Sequence, residues 1–156
     1  MKNIFYYDFP IGKIGIVEEK DAITHIFFGD KLGILNVTEK ETPIVKEAAR
    51  QLADYFARKR KDFDLPLALN GTPFQLKVWQ ALTTIPYGET RSYKQIAEQI
   101  GNSKACRAVG LANNRNPISI VVPCHRVIGA NGKLVGYGGG LDVKKYLLEL
   151  EGCIKQ

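Results

Sequence analysis

Ser92-Tyr93-Lys94-Gln95, continued by Ile96-Ala97 and Ile100 and then by Gly101-Asn102-Ser103, decides how the second half of this chain folds. A serine with a glutamine three residues later is a capping box, in which each side chain satisfies a backbone N–H of the first helical turn. Ile96, Ala97 and Ile100 then recur at the spacing of one helix face, and Gly101 is a natural stop. Ser103 is expected to cap a further helix that runs to about Asn113. Two short helices joined at Gly101-Asn102-Ser103 form a helix-turn-helix, whose second helix can enter a groove of DNA. Arg107 falls in the first turns of that second helix, within reach of bases, whereas Lys94 and Lys104 suit phosphates.

Upstream, Thr72-Pro73-Phe74-Gln75 repeats the device, with a capping threonine, proline at the first helical position and glutamine at the box position. Leu76, Val78, Trp79, Leu82 and Ile85 form its buried stripe, and Pro86-Tyr87-Gly88-Glu89 ends it. Downstream, Asn113-Asn114-Arg115-Asn116-Pro117 is a polar loop that terminates the second helix. Ile118-Ser119-Ile120-Val121-Val122 reads as a short buried strand that delivers Pro123-Cys124-His125-Arg126 to the end of the helical layer. Strand alternation would send Cys124 and His125 in opposite directions. For the two to cooperate, either Pro123 turns the chain or a water bridges them. Asn131-Gly132 signals a tight turn, and Gly136-Tyr137-Gly138-Gly139-Gly140 a backbone that approaches something closely. No lysine-serine or lysine-threonine pair follows these glycines, which argues against a phosphate loop. A last helix, from about Asp142 to Glu151 with Gly152 as its stop, buries Val143, Leu147, Leu148 and Leu150.

The first third reads as short strands. Lys13-Ile14-Gly15-Ile16 alternates, Ala22 to Phe28 is an apolar and β-branched run, and Pro10, Gly12, Lys20-Asp21 and Gly29-Asp30 supply turns. A three-stranded antiparallel meander follows, with His25 a half-buried strand residue. Thr42-Pro43 starts a helix whose inner face is Val45, Ala48, Ala49, Leu52, Tyr55 and Phe56. Arg58-Lys59-Arg60-Lys61 is read as its solvated, dipole-complementing end. Residues 62–71 lack a helical period and read as a connection. The expected architecture is α/β in the α+β sense. A small meander with one helix (1–65) precedes a mainly helical domain (72–156) with the helix-turn-helix and a short active-site strand.

Charge divides unevenly. The net charge of the 156-residue chain is +6, residues 1–70 are balanced, and residues 71–156 carry eleven basic and five acidic side chains. Arg91, Lys94, Lys104, Arg107, Arg115, Arg126 and Lys133 stand against Glu98 alone between 90 and 135, a stripe suited to a polyanion. Three cysteines, Cys106, Cys124 and Cys153, form no disulfide framework and suit a reducing compartment. The two histidines, His25 and His125, form no zinc-ligand pattern with them, so no metal is expected. No stretch approaches the ~20 apolar residues of a membrane span, and the start lacks a signal-peptide core, so a cytoplasmic protein with no membrane partner is expected.

Pro123-Cys124-His125-Arg126-Val127, preceded by Asn116-Pro117 and Arg107-Ala108-Val109-Gly110 and followed by Tyr137-Gly138-Gly139-Gly140, resembles the 6-O-alkylguanine-DNA alkyltransferases, or methylated-DNA-protein-cysteine methyltransferases. The resemblance is close over about residues 72–152 and loose over 1–65. It implies DNA repair by irreversible transfer of a methyl or larger alkyl group from the 6-oxygen of guanine, with the 4-oxygen of thymine a further candidate, to Cys124. The protein would act once, without a cofactor and as a monomer, on double-stranded DNA whose damaged base has been flipped out. In a bacterium or archaeon it would be nucleoid-associated.

The same resemblance implies roles by position. Cys124 is the acceptor, activated through a water by His125 and then Glu151, and Asn116 holds the turn before the active site. Arg107 fills the space left by the flipped base, and Tyr93 lies beside the rotated phosphate and the purine. Arg115 joins Lys94 and Lys104 in the DNA-contacting set. Val127, Tyr137, Gly138 and Lys144 complete the substrate pocket, with glycine at 138 where some relatives have serine. Two other readings remain at this point: a non-enzymatic lesion-binding relative, against which Cys124 argues, and a cysteine hydrolase, which leaves the helix-turn-helix without a purpose.

Overall fold

The computed structural model describes residues 1–29, 36–137 and 139–154. The turn residue Asp30 and the pocket residue Gly138 therefore lie outside the described residues. The chain divides into two compact units, Met1–Leu69 and Asn70–Gln156.

In the first unit, β1 (Lys2–Phe9), β2 (Gly12–Glu19) and β3 (Ala22–Phe28) form the expected antiparallel meander. Lys20 and Asp21 both take positive φ, as the tight β2–β3 turn requires. The sheet is nevertheless mixed and four-stranded, because β4 (Val37–Glu39) pairs in parallel with β1 and gives the order β3-β2-β1-β4. Three mostly polar residues show too little alternation to announce a strand, which is why the sequence concealed it. Gly15 is needed on β2, since a Cβ there would lie 2.5 Å from the Phe27 ring and 2.9 Å from Tyr6.

The helix α1 (Pro43–Phe56) packs against this sheet and buries Val45, Ala48, Leu52 and Tyr55. Two expectations change here. Thr42 makes no side-chain cap, leaving Pro43 as the start signal, and the helix stops at Phe56, with Arg58 at φ +61, so the basic run lies beyond the helix. Nor are residues 62–71 a bare connection. Ile23 N–H donates to Pro66 O and Ala68 N–H to Ile23 O, both at 2.8 Å, adding this segment to the β3 edge.

In the second unit, α2 (Pro73–Leu82) and α3 (Tyr93–Gln99) both start with complete capping boxes, at Thr72 and Ser92. Gly101 takes φ +83 after α3, and α4 (Cys106–Asn114) follows. Ser103 does not cap α4. The helix begins from Ala105 without a side-chain cap, two residues later than the serine suggests. The three helices pack together, and Trp79 of α2 donates from Nε1 to Ala112 O of α4 at 2.9 Å. Parallel pairing of β5 (Arg91–Ser92) with β6 (Val127–Ile128) brings the start of α3 beside the segment after Cys124. The chain closes with α5 (Leu141–Leu150).

The predicted strand at 118–122 is instead a buried turn. Val121 N–H donates to Ser119 O and Val122 N–H to Ile118 O, and Ile120 sits at φ +72. Such a conformation is costly for a β-branched residue, so its surroundings must impose it. Asn116 does so: Oδ1 accepts from Ile118 N–H at 3.0 Å, while Nδ2 donates to Val122 O at 2.7 Å and to Ile118 O at 3.3 Å. Apolar composition reported burial correctly and geometry incorrectly, because a side-chain amide replaced a neighbouring strand as the backbone's partner.

Candidate active site

Cys124 opens a single 3-10 turn, Cys124–Arg126, directly after the Asn116-clasped turn. Only 4% of it is exposed. Its carbonyl accepts from Asn113 Nδ2 of α4 at 3.3 Å, tying the turn to the second helix of the helix-turn-helix. Burial pushes the Cys124 thiol up, and Asn116, the Lys144 ammonium and Tyr137 oppose that shift. A thiol so placed needs a base before it can act as a nucleophile.

His125 is fully buried, with Nε2 2.7 Å from Glu151 Oε2. Its Nδ1 has no hydrogen-bond partner among the described residues. Burial lowers the pKa of the imidazole, although Glu151 pulls it upward. Glu151 sits at the C-cap of α5. Burial alone would raise its carboxyl, but hydrogen bonds and charge from His125 and Arg126 bring it down to about 2. The 3-10 turn and the end of α5 thus bring together three residues that the sequence assigned to one site.

The neighbouring pocket residues converge as well. Lys144 is buried on α5, with Nζ donating to Val127 O at 2.6 Å and to Val135 O at 3.0 Å. Burial lowers its pKa to about 8, and the Cys124 thiolate opposes that shift. Tyr93 Oη donates to the same Val135 carbonyl at 3.1 Å, and Lys144 Nζ lies 6.0 Å from the Tyr93 ring centroid. Burial, then the charge of Cys124, raises the Tyr93 phenol. A cleft of about 400 Å³ opens here, lined by Tyr93, Cys106, Arg107, Gly110, Asn114, Val135 and Gly136. Gly136 takes φ +49, which favours glycine, and a Cβ there would press on Asn114 Nδ2 at 3.0 Å, so the loop lies close against α4.

Arg107 is exposed on α4 at the cleft wall. Lys94 on α3, Lys104 in the connection before α4 and Arg115 at its end are also exposed, apart from the Cys124 turn. Arg126 departs from expectation. Counted in the basic stripe, it is 6% exposed and buried against Glu151. The sequence also gave no role to Asn113, whose only signal was an amide on the inner face of α4. Among the described residues, no group of three or more His, Cys, Asp or Glu is placed to hold a metal ion.

The profile of the 6-O-methylguanine DNA methyltransferase DNA binding domain matches residues 73–153, and that of the family's ribonuclease-like domain matches residues 4–69. The chain belongs to this family. A methylated-DNA--protein-cysteine methyltransferase of Methanosarcina acetivorans is 53% identical over 94% of this chain and 96% of its own length. The constitutive methyltransferase of Bacillus subtilis is 52% identical over 91% of this chain and 90% of its own. Among solved structures, Mycobacterium tuberculosis OGT in complex with DNA is similar with a TM-score of 0.91 at 50% identity, covering 96% of this chain and 92% of that one. The methyltransferase family thus spans both units, and the mixed α/β architecture is shared over 96% of the chain.

Proposed function

We propose that this methyltransferase-family chain repairs duplex DNA by moving a methyl or larger alkyl group from the 6-oxygen of guanine to Cys124. The observation that carries the reading is a buried Cys124 followed by a buried His125–Glu151 pair at 2.7 Å. With Nε2–H donated to Glu151, His125 presents Nδ1 as a lone-pair acceptor, the one ring atom without a protein partner among the described residues. That atom takes the Cys124 proton through a water. The thiolate then attacks the alkyl carbon, the S–C bond forms as the C–O bond breaks, and guanine leaves as its oxyanion. A proton returned to the base restores the ordinary guanine. The thioether has no leaving group comparable to guanine, so the protein acts once and needs no cofactor.

Arg107, exposed on α4 beside the cleft, enters the space left by the flipped base, a step that costs a few kcal/mol of stacking. Tyr93, whose hydroxyl donates to Val135 O, sets its ring on the wall of the cleft that receives the base. Val127, Tyr137 and Lys144 frame the pocket, and Asn116 holds its floor. Lys94, Lys104 and Arg115 take phosphates. Among the described residues, no helix is long and apolar enough to cross a membrane. We place the activity in the cytoplasm, on nucleoid DNA, because Cys124 must remain a free thiol and the substrate is genomic.

Duplex DNA carrying radiolabelled methylguanine tests the reading. About one label per protein, on a peptide containing Cys124 and absent from Cys124→Ala, is expected. Continued turnover, or label on another residue, would refute it.

A further inference from the structure

The proposed relay uses His125 and Glu151 but leaves their buried neighbour Arg126 without a task. Arg126 Nε donates to Glu151 Oε1 at 2.7 Å and a terminal nitrogen to Oε2 at 3.0 Å, a bidentate pair. Its other terminal nitrogen donates to Ile85 O at 2.7 Å, and its guanidinium carbon lies 5.7 Å from the Tyr87 ring centroid. Tyr87 Oη in turn donates to Leu150 O at 3.4 Å, beside Glu151. The guanidinium is therefore held between the end of α5 and the connection after α2, and occupies both oxygens of the carboxylate that also holds His125.

A buried carboxylate demands a cation. Among the described residues, Arg126 and, when protonated, His125 are the cationic groups that hydrogen-bond Glu151. Were His125 the counter-ion, its ring would carry both protons in the resting protein and Nδ1 would be a donor, unable to accept from Cys124. We propose that Arg126 is the permanent counter-ion of Glu151 and thereby keeps His125 neutral, with Nδ1 free to receive the thiol proton. Arg126 is thus a positioning residue that sets the relay's starting protonation state without touching substrate. The inference rests on the reading of His125 as the base. Burial lowers the proton affinity of His125 most; of the charged groups facing it, Glu151 raises that affinity, and Arg126 and Lys144 oppose Glu151. The guanidinium suits this task because its planar fork matches the carboxylate.

The test is the titration of His125 followed by NMR in the unreacted full-length protein, which requires no repair activity. In Arg126→Met the midpoint should rise by at least about one pH unit, a tenfold change in protonation equilibrium. Arg126→Lys, which keeps the charge, should restore most of the difference. The pH profile of transfer from alkylated DNA should move upward with the midpoint, so that loss at pH 6.5 is recovered at pH 8.5. Should Arg126→Met not fold, comparison of Glu151→Gln with Arg126→Met/Glu151→Gln measures the same influence, and the double variant should titrate at least about one unit higher. Equal midpoints in that comparison, or an unmoved midpoint in folded Arg126→Met, overturn the proposal. Failure of the relay reading is distinct: the NMR midpoints shift as expected while the transfer profile ignores them.

Discussion

His125 Nε2 and Glu151 Oε2 stand 2.7 Å apart with both side chains closed to solvent. Such a pair links site chemistry to the protein's acid stability. Glu151 titrates at about 2 in the folded state, against an ordinary 4.5. A carboxyl with a depressed pKa contributes stability that is complete above the unfolded value and lost as pH falls through the folded one. The window is therefore pH 4.5 down to 2, and the contribution is about 3 kcal/mol. Denaturant unfolding across that window should show a larger loss for the native protein than for Glu151→Gln. Parallel losses would remove Glu151 from the account.

Lys144 gives the opposite end of the pH scale. Burial holds its ammonium at about 8 rather than 10.5, so the folded state binds this proton more weakly than the unfolded chain. The cost is complete below pH 8 and is relieved as pH rises from 8 to 10.5. Relative to Lys144→Met, the native protein should gain stability over that interval, by about 3 kcal/mol at most. A flat difference between the two proteins would contradict this.

Asn116 should prove costly to remove. Its amide makes three hydrogen bonds to the turn that holds Ile120 at φ +72. Asn116→Ala should lose about 2 to 4 kcal/mol. Because the same turn places Cys124, transfer from a free alkylated base should slow as much as transfer from duplex DNA. Loss confined to the duplex reaction would assign Asn116 to DNA binding instead.

Signals that were complete within a few residues survived folding, whereas Thr42 makes no cap and the apolar run 118–122 is not a strand. Thr72 and Ser92 announced their helices because a capping box is complete within four residues and needs no tertiary partner. Ser103 offered half of that pattern, and α4 starts later without it. Ile118 to Val122 is apolar because it is buried, and the amide of Asn116 decided that burial would take the form of a turn. For Arg126, sequence position suggested a surface charge, whereas only the approach of α5, which carries Glu151, reveals an interior ion pair. Cys124, His125 and Glu151 were named through the family resemblance of their motif, and the structure places His125 against Glu151. Hidden was Arg126, whose partners Glu151 and Ile85 lie 25 and 41 residues away.

The outer face of α4 should divide its work between charge and apolar contact. Arg107, Ala108, Leu111, Asn114 and Arg115 are all exposed along one stripe, with Leu111 56% exposed at its centre and cations at both ends. An exposed leucine between two arginines fits a DNA groove in which Arg115 meets phosphate, Arg107 reaches the base stack and the apolar side chain lies against sugar edges. Counter-ion release makes the charged contacts salt-dependent and leaves the apolar one indifferent to salt. Leu111→Ala should weaken binding to duplex DNA several-fold with an unchanged salt slope, a loss of about 1 kcal/mol. Arg115→Ala should reduce that slope by about one. Arg107→Ala should impair repair of duplex DNA more than reaction with free benzylguanine, since only the duplex requires an extruded base to be replaced. Binding isotherms at several salt concentrations, run beside both transfer assays, separate the three residues. Equal losses on duplex and free base for Arg107→Ala would remove it from the flipping step.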